Sequence, residues 1–561
     1  MNRDVILVTI LLLSLSQWSS SALIHAGYNE TQASYSRPVV ASSNTILVPD
    51  DYRTIQQAIN AAEEGDTIFV GTGTYYEYVV VDKALSLLGE NNNDTIVDGS
   101  GIGIVVSVIA NNVAIHNLTI QNGEIGIWLG YSRNNILSDT TITDNSYGIY
   151  LWGSSNNFLT DNIASDNYDG IYFYSSSDNT VSGNIASNNS YGIHLDSSSA
   201  NVLVDNVFSS NTNDGIRIYH SDNNVISDST ISNNTYGVYV ADSDKNLLSV
   251  NKVLNNQDGI YFYYSRNNIL TGNTIANNSQ YGVFLDSSSN NEIFHNSFIK
   301  NIESSRSVNS VNSWDNGVEG NYWSGYLNTD ANRDGIGDTP HLIGENNQDN
   351  YPLMAKFSQF NLIENGAYMI NAISNSTISE PQFQSLNNRT NTVSFKVDGG
   401  SFCRISIPHS LIDPPLTVKV DGNPSSYFKK VYSNGTHTWL YFSYVHSEEH
   451  EITLIHTPPS EQLMLFQWAI FGLAIITVIL FSISVSYYRL FNKQKKIIKA
   501  YEREVGNFPV SHEERARMRF IKDVIEREEK LEEFKKKYGI KIQPASNLED
   551  LVEKLGVKKK S

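Results

Sequence analysis

Asn157-Phe158-Leu159-Thr160-Asp161-Asn162-Ile163-Ala164-Ser165-Asp166-Asn167-Tyr168-Asp169-Gly170-Ile171-Tyr172-Phe173 is one unit of a repeat. Aligning the chain on Gly followed by Ile or Val gives a ladder: Gly103, Gly126, Gly148, Gly170, Gly192, Gly215, Gly237, Gly259 and Gly282. Successive members lie 23, 22, 22, 22, 23, 22, 22 and 23 residues apart. A second ladder, Asn135, Asn157, Asn179, Asn201, Asn224, Asn246, Asn268 and Asn291, shares the period. A fixed period of this size marks a solenoid. The unit is too short for a strand paired with a sizeable helix. Within it, short runs of strand-forming residues are separated by Asn, Asp, Ser and Gly. Asn tolerates left-handed backbone angles and Gly takes them without steric cost, so both are expected at corners. Stacked Asn side chains are expected to hydrogen-bond along the stack. The fold expected is mainly β: a parallel β-helix of about nine to eleven coils, with strands about 4.8 Å apart.

Alternation tells which side chains face outward. In Gly-Ile-x-Leu-x the apolar positions form the core. The first x reads Trp128, Tyr150, Tyr172, His194, Arg217, Tyr239, Tyr261 and Phe284. The second reads Gly130, Trp152, Tyr174, Asp196, Tyr219, Ala241, Tyr263 and Asp286. The residue before Gly reads Ile125, Tyr147, Asp169, Tyr191, Asp214, Tyr236, Asp258 and Tyr281. One outer face therefore carries aromatic stripes interrupted by Asp, His and Arg. Sugar rings pack on aromatic planes while carboxylates and Arg bond hydroxyls, and an exposed aromatic band marks a binding surface. Trp128, Tyr150, Trp152, Tyr172, Tyr174, His194, Arg217, Tyr219, Tyr239, Tyr261 and Tyr263 are the candidate substrate-binding residues. The bland alternative is that stacked tyrosines only stabilise a sheet. Asp169 and Asp214, two coils or about 9.6 Å apart, sit near the upper separation of an inverting carboxylate pair. With Asp196 they are the catalytic candidates. Most acidic residues on such a face are solvated.

The flanks define further modules. Residues 45–100 hold an N-terminal cap and the first coils, and residues 101–301 the repeats. In "VPDDYRTIQQAINAAEEGDTIFVGTGTYYE", Ile55, Ile59 and Ala62 share a helical face that covers the open first coil. This run resembles the N-terminal cap of right-handed parallel β-helix proteins of the pectin-lyase type. The repeats resemble those grouped with the NosD-like family, over roughly residues 45–357. The resemblance implies a right-handed β-helix. It also implies copper delivery, for which the outer region offers no Met-rich or His-rich cluster and one thiol, Cys403. The pectin-lyase group includes polysaccharide hydrolases and lyases, but Asn213-Asp214-Gly215 only echoes the hydrolase signature and no Gly-His-Gly follows.

Residues 302–357 form a C-terminal cap. Asp330-Ala331-Asn332-Arg333-Asp334-Gly335-Ile336-Gly337-Asp338 places oxygens of Asp330, Asn332, Asp334, Ile336 (backbone) and Asp338 as in the first part of a calcium loop. His341 stands where an EF-hand has Glu, so the loop resembles dockerin-like and thrombospondin-type repeats. Structural calcium is expected. The "NYW…DANRDGIGD…DNYPLM" pattern resembles the end of NosD-like archaeal surface proteins. Residues 358–457 carry period-two runs and turns that suggest a β-sandwich stalk.

Two apolar segments place the chain. Val5–Leu15, then Ser19-Ser20-Ser21-Ala22, reads as a signal peptide over 1–22, followed by a flexible lead-in over 23–44. No charge occurs from 462 to 488, so 463–488 is expected to cross a membrane once. Arg489, Lys493, Lys495, Lys496 and Lys499 follow, which places the 489–561 tail in the cytoplasm. Up to Tyr488 there are 19 Lys+Arg and 46 Asp+Glu; beyond it, 20 and 13. The acidic outer part disfavours nucleic acid. In the tail, Ser511-His512-Glu513-Glu514 is a capping box before an apolar helical stripe, expected to self-associate or bind a protein. The functional expectation is a cell-surface protein that binds carbohydrate or envelope polymer. The alternatives are a tethered polysaccharide hydrolase or lyase, a structural envelope component, or a copper accessory protein.

Overall fold

The computed structural model describes residues 44–456, apart from 364–366, 388–389 and 447, and scattered helical residues between 477 and 537. The expected signal peptide and lead-in lie outside the described residues, as does most of the expected membrane span. Among the described residues no helix is long and apolar enough to cross a membrane. In the C-terminal unit, Lys495 Nζ pairs with Glu529 Oε1 at 3.2 Å.

Each repeat turns at three corners that carry left-handed residues and lays down three short strands. Stacking the repeats builds three parallel sheets. One has 12 strands, from Thr45–Val48 to Glu292–Phe294. The second has 11, from Val79–Val81 to Glu303–Val308. The third has 12, from Gly73–Tyr75 to Tyr322–Trp323. The result is a right-handed-type parallel β-solenoid of about 13 turns. That exceeds the expected nine to eleven. The added turns lie at the two ends, where the period is hidden: the strands flanking the cap helix, and those beyond Asn301, have irregular loops between them.

The interior is a stack of aliphatic and Phe side chains. Ile149, Leu151, Ile171, Phe173, Ile193, Leu195, Ile216 and Ile218 are all fully buried. Asn ladders run along the corners. Asn157 Oδ1 accepts from Asn135 N at 3.0 Å, and Asn157 N donates to Asn179 Oδ1 at 2.9 Å. Asn162–Asn184–Asn206 and Asn145–Asn167–Asn189–Asn211 repeat the pattern at the other two corners. Each buried amide thus satisfies corner N–H groups that no strand partner reaches.

Two details differ from the expectation. The left-handed residue is the one before the ladder Asn: Asn156 (φ 57), Asp178 (φ 61) and Asn223 (φ 58). The repeat glycines from Gly126 onward are needed for space instead. A Cβ on Gly170 would lie 2.7 Å from Gly192 O and 2.8 Å from Asn189 Nδ2. Packing against the Asn ladder, rather than backbone angle, selects Gly there.

The N-terminal helix, Ile55–Ala61, buries Ile55, Ala58 and Ile59 on the first coil. Thr54 caps it, accepting from Gln57 N. Lys83 Nζ donates to the carbonyls of Ile59, Asn60 and Ala62 at its other end. At the far end Trp323 stacks on Phe298 at 4.2 Å and closes the core.

Residues 356–456 form two five-stranded antiparallel sheets that share an apolar cluster. Arg404, on the strand Phe402–Pro408, reaches back to the solenoid cap. Its Nε is 2.8 Å from Glu319 Oε1, and its Nη1 donates to Asp334 O at 2.7 Å. His295 Nε2 lies 2.9 Å from the other Glu319 oxygen. Burial alone would raise the Glu319 carboxyl, but Arg404 and His295 overrule it and hold it at about 2.

Candidate functional site

The 11-stranded sheet carries the aromatic face. Its strands Tyr147–Trp152, Asp169–Tyr174, Tyr191–Asp196, Asp214–Tyr219, Tyr236–Ala241, Asp258–Tyr263 and Tyr281–Asp286 stack in register. Trp128, Tyr150, Tyr172 and His194 are successive partners, as are Arg217, Tyr239, Tyr261 and Phe284. His194 pairs with Arg217, which joins the two runs into one column. Gly130, Trp152, Tyr174, Asp196 and Tyr219 form the column beside it, continued by Ala241, Tyr263 and Asp286. All eleven candidate binding residues therefore share one outer face.

The first column is a ring ladder. Tyr150 and Tyr172 have centroids 5.0 Å apart, Tyr172 and His194 4.8 Å, and Tyr261 and Phe284 4.8 Å with planes 3° apart. These rings pack against one another and are only partly exposed. The more exposed rings are in the outer column. There Trp152 is 40% exposed, Tyr174 37% and Tyr219 38%. Corner residues that the sequence pattern did not single out extend this surface: Tyr131 lies beside Trp152 at 6.3 Å, and Tyr264 beside Tyr263 at 4.5 Å. Both sit at left-handed corners just after a strand. An aromatic in a position that Asp, Ser or His fills in other coils was the available signal.

The carboxylates behave differently from the expectation. Asp169 and Asp214 are buried, not solvated. Tyrosines of the coils on either side cover them: Tyr147 and Tyr191 flank Asp169 in the sheet, and Tyr236 lies beside Asp214. Asp169 Oδ1 is buried without a hydrogen-bond partner. Asp214 Oδ2 lies 3.1 Å from Arg217 Nε, an ion pair without hydrogen-bond geometry. Burial pushes Asp169 up to about 7; Arg217 pulls it back and Asp214 adds to the rise. Burial likewise raises Asp214 to about 7 against the pull of Arg217. The Arg217 guanidinium sits between the rings of Tyr191 and Tyr239, at 4.9 and 5.1 Å. Burial, then Arg217, lowers His194 to about 4, so its ring is neutral at pH 7. Asp196, the third catalytic candidate, is half-buried and accepts from Ser197 Oγ. It stands in the outer column, apart from the Asp169–Arg217–Asp214 group.

The aspartate loop lies at the solenoid cap. Asp330 accepts from Asp334 N and Gly335 N, Asp334 Oδ1 from Ile336 N, and Asp338 Oδ2 from Ala331 N. Lys429 Nζ takes the Asn332 carbonyl. The donors are hard oxygens around a left-handed Gly335 (φ 84), the types calcium accepts. Among the described residues no three His, Cys, Asp or Glu side chains converge as a ready cage.

Several solved structures are similar to parts of this chain. The A-module of the Azotobacter vinelandii mannuronan C-5 epimerase AlgE6 is 19% identical, with 46% of this chain and 94% of that chain covered and a TM-score of 0.38. The Dettilon tailspike protein is 12% identical over 73% of this chain and 94% of that chain, with a TM-score of 0.40. An alginate lyase from Paenibacillus is 14% identical over 47% and 97%, with a TM-score of 0.34. No curated protein matches the chain. The family model described as periplasmic copper-binding protein (NosD) matches residues 60–248 and 169–328, so this stretch, folded as a parallel β-solenoid, is similar to the repeats of that family.

Proposed function

We propose that this chain is a membrane-anchored surface protein whose 11-stranded sheet binds a carbohydrate or envelope polymer. One observation carries the reading: the exposed aromatics Tyr131, Trp152, Tyr174, Tyr219 and Tyr264 gather along one edge of one sheet. The outward positions of the other sheets are mostly small or aliphatic, as in Thr141-Ile142-Thr143 and Ile185-Ala186-Ser187. Exposed rings arrayed this way suit a long ligand more than a compact one. The apolar run Val5–Leu15, the uncharged stretch 462–488 and the basic residues after it support export and a single-pass anchor. Residues 356–456 would then be a sandwich stalk. The test is a glycan array probed with the detergent-solubilised full chain. Binding that falls at least tenfold in Trp152→Ala/Tyr174→Ala/Tyr219→Ala, at unchanged melting temperature, supports the reading. No binding to any polymer refutes it.

A second reading is cleavage of the bound polymer. It is favoured by Asp169 and Asp214, whose carboxyls are poised near neutrality as general acid–base groups are. New chain ends released by wild type and lost in Asp214→Asn would establish it. Calcium in the Asp330–Asp338 loop is proposed as a structural ion. Copper is not assigned: the described imidazoles form no three-ligand group, and the Cys403 thiol is buried in an apolar cluster with its pKa raised by that burial.

A further inference from the structure

Two columns of the aromatic face repeat every second coil of the solenoid. The residue before each repeat Gly alternates: Tyr147, Asp169, Tyr191, Asp214, Tyr236, Asp258, Tyr281. From Tyr174 on, the outer column alternates out of phase: Tyr174, Tyr219 and Tyr263 stand in the Asp coils, while Asp196, Ala241 and Asp286 stand in the Tyr coils that follow; Trp152, in the Tyr147 coil, precedes the alternation.

The geometry repeats with the sequence. Tyr147 touches Tyr150 of its own coil at 5.4 Å and Tyr172 of the next at 5.5 Å. Tyr191 touches His194 at 5.7 Å and Arg217 of the next coil at 4.9 Å. Tyr236 touches Tyr239 at 5.5 Å and Tyr261 at 5.7 Å. Tyr281 touches Phe284 at 5.0 Å and Arg306 at 5.5 Å. These are four copies of one three-residue contact, each two coils from the last.

Packing does not require this alternation. The core residues and all three Asn corners keep the single-coil period. The Asp positions carry a cost that a structural Asn or Ser would avoid, since Asp169 Oδ1 is buried without a partner. Among the three described solenoid sheets, the double period lies on the outer face of the sheet whose strands carry the exposed Trp152, Tyr174 and Tyr219.

Two coils advance by about 9.6 Å. A disaccharide of an extended β-1,4-linked glycan advances by nearly the same distance, with alternate sugars turned over. Resting on the polymer-binding reading above, we infer that this face is built for an extended β-1,4-linked polysaccharide lying along the solenoid axis, one disaccharide per two coils. Tyr174, Tyr219 and Tyr263 then meet the same face of every second sugar. The other sugar of each pair lies over Asp196, Ala241 or Asp286, where a small or polar residue leaves room for a turned-over ring. Glycans that coil, such as β-1,3 or α-1,4 chains, fall out of step within a few residues.

The experiment is titration calorimetry of the detergent-solubilised full chain with cello- and chito-oligosaccharides, dimer to octamer. Laminari- and malto-oligosaccharides of equal length are the comparison. Affinity for one β-1,4 series is expected to rise about tenfold with each added disaccharide and little with the odd sugar between. The coiling series should bind at least tenfold more weakly. Tyr219→Ala should remove one step, and Tyr219→Phe, which keeps the ring, should retain it. A smooth rise with length, or equal binding of laminari- or malto-oligosaccharides, overturns the two-coil register while leaving polymer binding intact. Absence of binding in all series and on the glycan array overturns both.

Discussion

Replacing Asp169 by Asn should make the protein more stable at pH 8 and leave it nearly unchanged at pH 4. The substitution keeps the shape and removes the charge. Burial raises the Asp169 carboxyl from an ordinary 3.8 to about 7. The folded state therefore holds a proton that the unfolded state releases anywhere between those two values. By linkage, stability falls as pH rises through this window, by about 1.4 kcal/mol per pH unit, and the loss is complete above the folded value. Across the window that amounts to at most about 4 kcal/mol, lowered by whatever water reaches the carboxylate. Asn does not titrate, so the stability difference should open from near zero at pH 4 to a few kcal/mol at pH 8. The assay is denaturant unfolding of wild type and Asp169→Asn across that range, read as the midpoint difference at each pH. A difference of constant size at every pH would mean that Asp169 titrates as an exposed carboxylate, and the buried-acid picture of the face would be wrong.

Other outcomes follow from the packing. Asn184→Ala strips Asn162 N of its acceptor and orphans further buried amides, and should lower stability by about 3 kcal/mol or more, read by chemical denaturation. A surface change such as Asn156→Gly should be nearly neutral in the same assay. Arg404→Met leaves Glu319 buried without its main counter-charge; a loss of about 3–5 kcal/mol is expected, with earlier proteolysis between the solenoid cap and residue 404. Millimolar calcium should raise the melting temperature of the wild type and not that of Asp330→Asn/Asp338→Asn, and equal curves with calcium and chelator would remove calcium from the account.

The solenoid was legible because its physics is periodic. A core that repeats every coil writes Ile171, Phe173, Ile193 and Leu195 at fixed spacing, and Asn ladders write the corners. Local chemistry was less legible. The ladder glycines read as turn residues, but their reason is a carbonyl and an Asn amide in the next coil, a contact no single unit shows. Asp169 and Asp214 read as outward-facing catalytic candidates, and their burial was not legible, because alternation gives direction and not burial. It is the neighbouring tyrosines, one coil away on each side, that close over them. Ring-on-ring packing likewise covers much of Tyr150 and Tyr172, so the exposed rings are those of Trp152, Tyr174 and Tyr219. The end coils escaped because their strands remain while their spacing does not: the partner of Ser297–Ile299 is Tyr322–Trp323, across a long cap insertion.

The most direct test is a structure of the chain with cellohexaose or chitohexaose bound. The account predicts an extended oligosaccharide along the 11-stranded sheet, with rings over Tyr174 and Tyr219 two coils apart. Sugar seated on either 12-stranded sheet, or lying across the strands rather than along the axis, would contradict it.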